Sequence, residues 1–168
     1  MQANPAASKP HALPWLLLSA TIIVLDQWTK SVVMATLTLH RPAQFIAGFW
    51  NWTLDYNKGA AFSFLGDAAG WQRWLFAGLA IAVSTGMAIW LARTPRNDWR
   101  TALPFALVIG GALGNLIDRI RLGQVIDFIQ WYWGDHYWPT FNVADSSIVA
   151  GAIALVLFGI SARKQEAE

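Results

Sequence analysis

Cysteine is absent from this chain, and charged side chains are scarce. Only 13% of the 168 residues are Asp, Glu, Lys or Arg, whereas soluble domains average roughly a quarter. Without cysteine the chain has no disulfide framework and no thiolate chemistry. The formal net charge of +2 is too small to indicate nucleic-acid binding. These absences disfavour a soluble, disulfide-bonded or nucleic-acid-binding protein.

Long apolar runs are what the sequence has instead. Hydrophobic residues make up 55% of the chain, eleven residues are Trp, and the mean hydropathy is +0.37. A helix needs about 20 mostly apolar residues to cross a hydrocarbon core of roughly 30 Å. Four stretches meet this need, centred on 13–33, 74–92, 101–117 and 146–162. We therefore predict an all-α membrane protein, a single domain over 1–168 with four transmembrane helices at about 13–35, 72–92, 100–120 and 140–162.

The basic residues predict how these helices are oriented. They concentrate before the first span, between the second and third, and after the fourth: Lys9, Arg93, Arg96, Arg100, Arg163 and Lys164. By the positive-inside rule these three segments are cytoplasmic. The sequence therefore predicts a cytoplasmic tail at 1–12, both termini inside, and outer loops at about 36–71 and 121–139.

The N-terminus also has features of a secretory signal peptide, because a short basic tail leads into an apolar run. That run reaches Asp26 without a clear small-x-small cleavage motif, and further spans follow. We therefore expect an uncleaved first helix.

Span lengths predict where the acidic residues lie. Only seventeen uncharged residues separate Arg100 from Asp118, and Asp145 from Arg163. At about 1.5 Å per residue each run is near 25 Å long, somewhat short of the hydrocarbon core. Completing each span brings Asp118 and Asp145 to its outer margin.

Other charged residues join them at the same boundary. Asp26 and Lys30 fall in the outer third of the first helix, where their i, i+4 spacing lets them pair. The charged residues expected together at the outer leaflet are Asp26, Lys30, Asp118, Arg119, Asp127 and Asp145.

Three further patterns concern packing. Apolar and polar residues alternate over 49–56, which indicates a half-buried strand and a small outer β-sheet in the first loop. Aromatic residues over 131–138 are typical of a belt at headgroup level. Gly110, Gly111 and Gly114 predict close packing of the third helix against its neighbours.

Asp127 and Asp145 are the strongest candidates for chemistry, because an ionisable group beside hydrocarbon is costly and usually functional. Two carboxylates within hydrogen-bond reach share a proton, since like charge and poor solvation raise the pKa of one of them. The ionised member can draw a proton from water while the protonated member donates to a carbonyl oxygen, as in aspartic proteases. Which residue holds the proton stays open, because the pair titrates as a unit.

The remaining polar residues predict supporting roles and exclude other mechanisms. Asn115, Asn142, Arg119 and Lys30 are suited to orienting a carboxylate or a substrate backbone. The three histidines are scattered at 11, 40 and 136. The sequence therefore offers no histidine pair to bind a catalytic metal and no histidine placed beside a nucleophilic serine. We therefore expect neither a metal nor another cofactor.

Five short segments together resemble one known family. The segments are 26–30 (DQWTK), 57–63 (NKGAAFS), 114–119 (GNLIDR), 125–129 (VIDFI) and 141–145 (FNVAD). In this order, on four spans of this length, they are similar to lipoprotein signal peptidase, the type II signal peptidase of bacterial inner membranes. The resemblance covers nearly the whole chain and shows no departure at the motif positions.

The resemblance implies roles for individual residues. It implies that Asp127 and Asp145 are the catalytic dyad, and that Asn115, Arg119 and Asn142 shape the site around them. Asp26, Lys30 and Asn57 are then family positions that bind or support. Asp118 is expected to support Arg119 and the helix end, a structural role.

The resemblance also implies a reaction and a location. The substrate would be a prolipoprotein whose cysteine carries diacylglycerol, cleaved just before that cysteine to release the signal peptide. The active site would face the periplasm, with the outer sheet cradling the substrate. Membrane lipids are the other expected partners, nucleic acid and metal are not expected, and the protein is expected to be a monomer.

The same residues leave two other classes of protein open. Clustered Asp, Lys and Arg also line the pathways of ion transporters, but such pathways need polar groups near the midplane. The second span offers only Ser84 and Thr85 there. A non-enzymatic membrane scaffold with interfacial aromatics would leave the clustered acids unexplained.

Overall fold

A computed structural model of the chain describes residues 11–59 and 70–166, with only the backbone course for 160–166. It contains four long helices and four strands. In chain order they are α1 Leu16–Thr36, β1 Ala43–Ile46, β2 Trp50–Asn57, α2 Trp71–Arg93, α3 Trp99–Leu122, β3 Val125–Trp133, β4 His136–Tyr137 and α4 Val143–Glu166. Residues 1–10 of the expected tail and 60–63 of the NKGAAFS segment lie outside the described residues.

The apolar runs form the helices as predicted from their length and composition. Among the described residues, three helical segments are long and apolar enough to cross a membrane: Leu13–Thr36, Trp71–Arg93 and Trp99–Leu122. Within the residues whose side chains the structure describes, the apolar part of α4, Val143–Gly159, is shorter. The chain is therefore a membrane protein with at least three candidate spans, and the fourth span stays a prediction.

Helix α3 is the centre of the bundle and packs against α1, α2 and α4. Asp98 begins it by accepting a hydrogen bond from the backbone N–H of Thr101 at 3.2 Å. It ends at Gly123, whose φ of 77° is a left-handed conformation that glycine adopts without strain. That turn reverses the chain, and only two residues separate the end of α3 from the start of β3.

Glycines let α3 approach its neighbours closely, and the prediction of close packing is confirmed. A Cβ at Gly110 would lie 2.9 Å from the Ile22 Cβ on α1. On the other side, a Cβ at Gly111 would collide with the carbonyl oxygen of Ala144 on α4. Backbone therefore meets backbone where a side chain would separate the helices.

The strands form one antiparallel sheet in the order β1-β2-β3-β4. The prediction placed the sheet in the first loop alone, and this was incomplete: β3 and β4 come from the second loop, where only an aromatic belt was expected. Valine, isoleucine and aromatic residues favour strands, and β3 has them at nearly every position. Its partner β2 lies about seventy residues earlier in the chain, so local patterns did not reveal the pairing.

An apolar cluster fixes the sheet to the bundle. Val33 on α1, Leu54 on β2, and Ile126 and Phe128 on β3 are all buried in it. Ile126 and Phe128 flank Asp127 on the strand, so this packing fixes the position of the aspartate backbone. The sheet thereby carries one candidate catalytic residue to the end of the helices.

Helix α4 begins later than the predicted residue 140. Phe141 is extended and exchanges backbone hydrogen bonds with Ile129 of β3, at 3.0 and 2.8 Å. A residue held in a strand pairing cannot start a helix, so the first helical residue is Val143. The short extended segment joins the sheet to the turn that bears Asn142 and Asp145.

Candidate active site

Asp127 lies on β3 with 1% of its surface exposed. Its Oδ1 accepts a hydrogen bond from the Asn142 side-chain amide at 2.7 Å, and its Oδ2 accepts one from the Asn57 amide at 3.1 Å. Burial, followed by repulsion from the Asp145 carboxylate, raises the pKa of Asp127 to about 8, and the two amide hydrogen bonds oppose this rise. The two carboxyl groups together therefore keep a proton at neutral pH, and they titrate as a unit.

Asp145 lies in the first turn of α4, where the helix dipole favours an acidic side chain. Its Oδ1 accepts a hydrogen bond from the Asn115 side-chain amide at 2.7 Å. Its Oδ2 accepts from the backbone N–H of Asn142 at 3.3 Å, and the Asn142 Oδ1 accepts from the Asp145 backbone N–H at 2.8 Å. These reciprocal bonds fix the start of the helix and the direction of the carboxylate together.

Asn142 is therefore hydrogen-bonded to both acids. Its side-chain amide reaches Asp127 and its backbone N–H reaches Asp145. The structure brings together the two acids that the sequence singled out, one from a strand and one from a helix. Asn57, Asn115 and Asn142 surround them with amide donors.

A buried cluster of charges lies behind Asn115. The Lys30 ammonium contacts Asp26 Oδ2 at 2.8 Å and Asp118 Oδ2 at 2.7 Å. All three side chains are almost fully buried, and Lys30 also donates to Asn115 Oδ1 at 3.0 Å. The pairing of Asp26 with Lys30 that their spacing predicted is confirmed. The three charges connect α1 to α3 directly beside the site.

The two acids of this cluster also hold backbone groups. Asp26 Oδ1 accepts from the backbone N–H of Ala144 at 2.9 Å, and Asp118 Oδ2 accepts from that of Ile126 at 3.2 Å. Each of these residues immediately precedes a candidate catalytic aspartate. Among the described contacts of Asp118, the ion pair is with Lys30. The expected support of Arg119 and the helix end by Asp118 stays a prediction.

Gln27 is a neighbour that the sequence did not single out. Its amide donates to Asp118 Oδ1 at 2.9 Å, to the Gly114 carbonyl at 3.2 Å and to Asp26 Oδ2 at 3.3 Å. It supplies donors to a cluster that has two carboxylates and one ammonium. Its place in the DQWTK segment was the only available signal, because its partners on α3 are almost ninety residues away.

Arg119 follows the charge cluster on α3 and turns towards the first loop. Its guanidinium donates to the carbonyl oxygen of Gly59 at 3.2 Å and lies 5.2 Å from the centre of the Phe76 ring. Gly59 in turn donates its N–H to Asn57 Oδ1 at 2.9 Å. Arg119 and Asn57 therefore hold the end of β2 beside the acids.

A cavity of about 630 Å³ opens beside Asp145. Within the described residues, its polar lining includes Asn57, Asn115, Arg119 and Asp145, while Asp127 is not a lining residue. Most of its wall is apolar or aromatic, as the lining residues Trp131, Trp138, Phe141, Ile148, Val149 and Ile153 show. The space suits a ligand that has a polar backbone at one end and an apolar body.

Metal chemistry has no ligand set in the part of the chain that the structure describes, since no group of three or more His, Cys, Asp or Glu side chains could hold an ion there. The fold and the site define a membrane protein with a buried, hydrogen-bonded pair of aspartates beside an apolar cavity. This is the arrangement expected of a membrane-embedded enzyme.

Comparison with known proteins identifies the family. Residues 18–161 match the family model described as Signal peptidase (SPase) II. The chain belongs to the signal peptidase II family, a family of proteases. Membership leaves the transporter and scaffold alternatives without support.

Relatives and solved structures agree with this membership. Lipoprotein signal peptidases of Xanthomonas campestris pv. campestris (strain 8004) and Xylella fastidiosa (strain 9a5c) are each 60% identical over 151 residues, which is 90% of this chain and 90% of each relative. Two bacterial membrane enzymes solved by the in meso method, at 2.3 and 1.9 Å resolution, are each 28% identical, with TM-scores of 0.79 and 0.73. The first covers 91% of both chains, and the second covers 89% of this chain and 94% of that structure.

Proposed function

We propose that this protein is an aspartic endopeptidase that removes signal peptides from diacylglyceryl-modified prolipoproteins, cutting just before the lipidated cysteine. The observation that carries the proposal is the hydrogen-bonded linkage of Asp127 and Asp145 through Asn142. Among the described residues that line the cavity, Asp145 is the only carboxylic acid, and Asn142 joins it to Asp127. Relatives that are 60% identical are named lipoprotein signal peptidases, which supports the substrate class.

The pair performs general acid and base catalysis on a peptide bond. One proton stays in the pair at neutral pH because the pKa of Asp127 is raised to about 8. The ionised member accepts a proton from the attacking water while the protonated member donates to the carbonyl oxygen. The pair then protonates the leaving nitrogen as the C–N bond breaks, and a hydroxyl group of the tetrahedral intermediate returns a proton to the pair. The signal peptide leaves with a new carboxyl group, and the shared proton is restored.

The supporting residues keep these two acids in position. Asn57, Asn115 and Asn142 donate amide hydrogen bonds to the carboxylates. Arg119 lines the cavity, where its guanidinium is suited to a substrate carbonyl. The other three residues do not contact the two acids. Asp26 and Lys30 support the site from behind Asn115, and Asp118 has a structural role because it holds the start of β3.

The apolar part of the cavity suits the lipid. Phe141, Val149 and Ile153 line it beside Asp145, so the acyl chains of the modified cysteine can pack there while the peptide reaches the acids. Ile153 lies about two helical turns along α4 from Asp145, which extends the apolar wall by roughly 12 Å towards the bilayer centre. A water-soluble peptide without a lipid would leave this wall uncovered.

The membrane arrangement completes the proposal. We place α4 as a fourth crossing, with both termini in the cytoplasm and the site at the periplasmic face of the bacterial inner membrane, because the basic residues follow the positive-inside rule. The enzyme acts as a monomer without a metal or other cofactor. Its partners are the lipidated precursor and the surrounding lipids.

A cleavage assay tests the function directly. Purified protein in lipid or detergent is mixed with a diacylated precursor peptide and, separately, with the same peptide without its lipid. We expect a cut just before the cysteine in the lipidated peptide, and a much slower reaction in the other. Equal rates on the two peptides would contradict the role given to the apolar wall, and no cut in either would contradict the function.

A further inference from the structure

Lys30 is a buried ammonium whose hydrogens are all used. Its Nζ has three acceptors within 3.0 Å: Asp26 Oδ2, Asp118 Oδ2 and Asn115 Oδ1. An ammonium group has three N–H donors and no acceptor. Each donor therefore has one acceptor, and one of the three acceptors belongs to a residue of the active site.

This contact dictates which way the Asn115 amide faces. Its Oδ1 must point to the ammonium, so its Nδ2 points to Asp145 Oδ1 at 2.7 Å. The flipped amide would set N–H groups against the ammonium and a carbonyl oxygen against the carboxylate, and both contacts are unfavourable. The N–H donor of Lys30 thus decides that Asp145 is offered a hydrogen-bond donor.

Asn142 holds Asn115 less firmly than Lys30 does. Its Nδ2 also approaches Asn115 Oδ1, at 3.1 Å. The same nitrogen has Asp127 Oδ1 at 2.7 Å and the Ile126 carbonyl at 3.2 Å. One Asn142 hydrogen goes to Asp127, the nearest acceptor, and the other is shared between Asn115 and the Ile126 carbonyl. The Lys30 ammonium, which is charged and lies 3.0 Å from Asn115 Oδ1, is therefore the stronger donor to Asn115.

We propose that Lys30 is a positioning residue, which fixes the amide of Asn115 so that an N–H group faces the catalytic carboxylate of Asp145. This inference rests on the proposed function, because it gives Lys30 a part in the same proteolytic step. Within the described residues Lys30 does not line the cavity, so its effect reaches the reaction through Asn115. It therefore alters the rate of the chemical step and leaves substrate binding unchanged.

The test compares two substitutions of similar length that differ in one property. Lys30→Met removes every donor, whereas Lys30→Gln removes the charge but keeps an N–H group that can face Asn115. Both are made together with Asp118→Asn, because the cluster then keeps the net charge it has in the natural protein. The Asp118→Asn protein with Lys30 intact is the parent for comparison, and kcat and KM are measured on the lipidated precursor peptide.

We expect Lys30→Met to lower kcat by about tenfold or more at unchanged KM, the effect of one lost hydrogen bond to a charged group. Lys30→Gln should recover most of the parent kcat. The proposal is overturned if the two variants have the same kcat, or if the loss is confined to KM. If the natural protein itself does not cut the peptide, the proposed function fails; if it cuts and the two variants are equal, only the role of Lys30 fails.

A second variant keeps the proposal testable should the Lys30→Met protein not fold. Asn115→Leu keeps a similar size and leaves Lys30 its two carboxylate partners, Asp26 and Asp118. It removes the N–H group that donates to Asp145. We expect a fall in kcat of about tenfold or more with folded protein retained. A natural kcat in this variant would show that the donor facing Asp145 is unimportant and would overturn the proposal.

Discussion

Gly111 on α3 lies against the backbone carbonyl of Ala144 on α4 with no room for a side chain between them. Ala144 immediately precedes Asp145, and Asn115, which donates to Asp145, lies one helical turn beyond Gly111. The distance between the two helices at this point therefore sets the geometry of the hydrogen bond from Asn115 to Asp145 in the proposed site.

Gly111→Ala should separate α3 from α4 and weaken the site. A methyl group forced against a backbone carbonyl costs about 1–3 kcal/mol of folding stability, and the shift should lower kcat for the lipidated peptide several-fold. Thermal unfolding and steady-state cleavage measure both effects. Gly86→Ala on α2 is the matched control, because a Cβ there has nothing within 4 Å. Equal behaviour of the two variants would contradict the packing argument.

Asp127→Asn and Asp145→Asn should each abolish cleavage, by about 10³-fold or more, because the pair then lacks an ionisable partner. Folded protein should remain, since asparagine keeps the size of the side chain. Asp55→Asn is a control on the same sheet. Asp55 lies opposite Asp127 in the pairing of β2 with β3, but its half-exposed carboxylate accepts a hydrogen bond from the Thr140 hydroxyl. Substantial cleavage by either dyad variant would remove the basis of the mechanism.

Asp118→Asn should reduce the amount of folded protein more than its activity. The change removes one of two carboxylates from Lys30, a loss of about 1–3 kcal/mol, while Asp26 still pairs with the ammonium. We expect a lower unfolding temperature and near-natural kcat per folded molecule. Asp98→Asn, which keeps a good capping residue at the start of α3, should leave both unchanged. A folded Asp118→Asn protein as inactive as the dyad variants would show that Asp118 takes part in the chemistry.

The pH dependence should report the buried proton of Asp127. Its pKa is raised from an ordinary 3.8 to about 8, chiefly by burial and then by Asp145. Between about pH 4 and about pH 8 the folded protein keeps a proton that the unfolded chain releases, so stability falls as pH rises through that window. Asp127→Asn should remove this fall. The free energy of unfolding of the variant, relative to that of the natural protein, should therefore rise with pH and level off above about pH 8.

Activity should follow the same proton. Cleavage should decline as the pH rises above about 8, because the pair then loses the proton it donates to the carbonyl oxygen. Initial rates on the lipidated peptide over this range measure the decline. A rate that stays constant well above that pH would mean that the reaction does not need the proton of Asp127.

Much of the fold could be predicted because its signals are local. Apolar runs revealed the helices, and the four-residue spacing of Asp26 and Lys30 revealed their ion pair. The strand β3 was missed, although Asp127 lies on it. Its aromatic residues are also typical of a belt at headgroup level, and the pairing with β2 is what makes the segment a strand. Sequence order carries no direct sign of such a distant partner.

The site shows the same division. The motifs identified Asp127, Asp145 and the amides around them as candidates. The hydrogen-bond partners of these residues could not be predicted from the sequence and are seen only in the structure. Gln27 contacts α3 from α1, and Asp26 holds the backbone of Ala144 on α4. Contacts of this kind depend on how helices are rotated against each other, and the weak amphipathic pattern of apolar membrane helices leaves that rotation unspecified.

The division of the dyad between a strand and a helix has a consequence for heat inactivation. Asp127 depends on a small sheet that an apolar cluster and a few hydrogen bonds fix to the bundle, whereas Asp145 depends on helices whose backbone bonds are internal. Warming should detach the β-sheet from the bundle before the helices unfold. Proteolysis would then vanish at a temperature where circular dichroism still reports full helicity, and cooling would restore it.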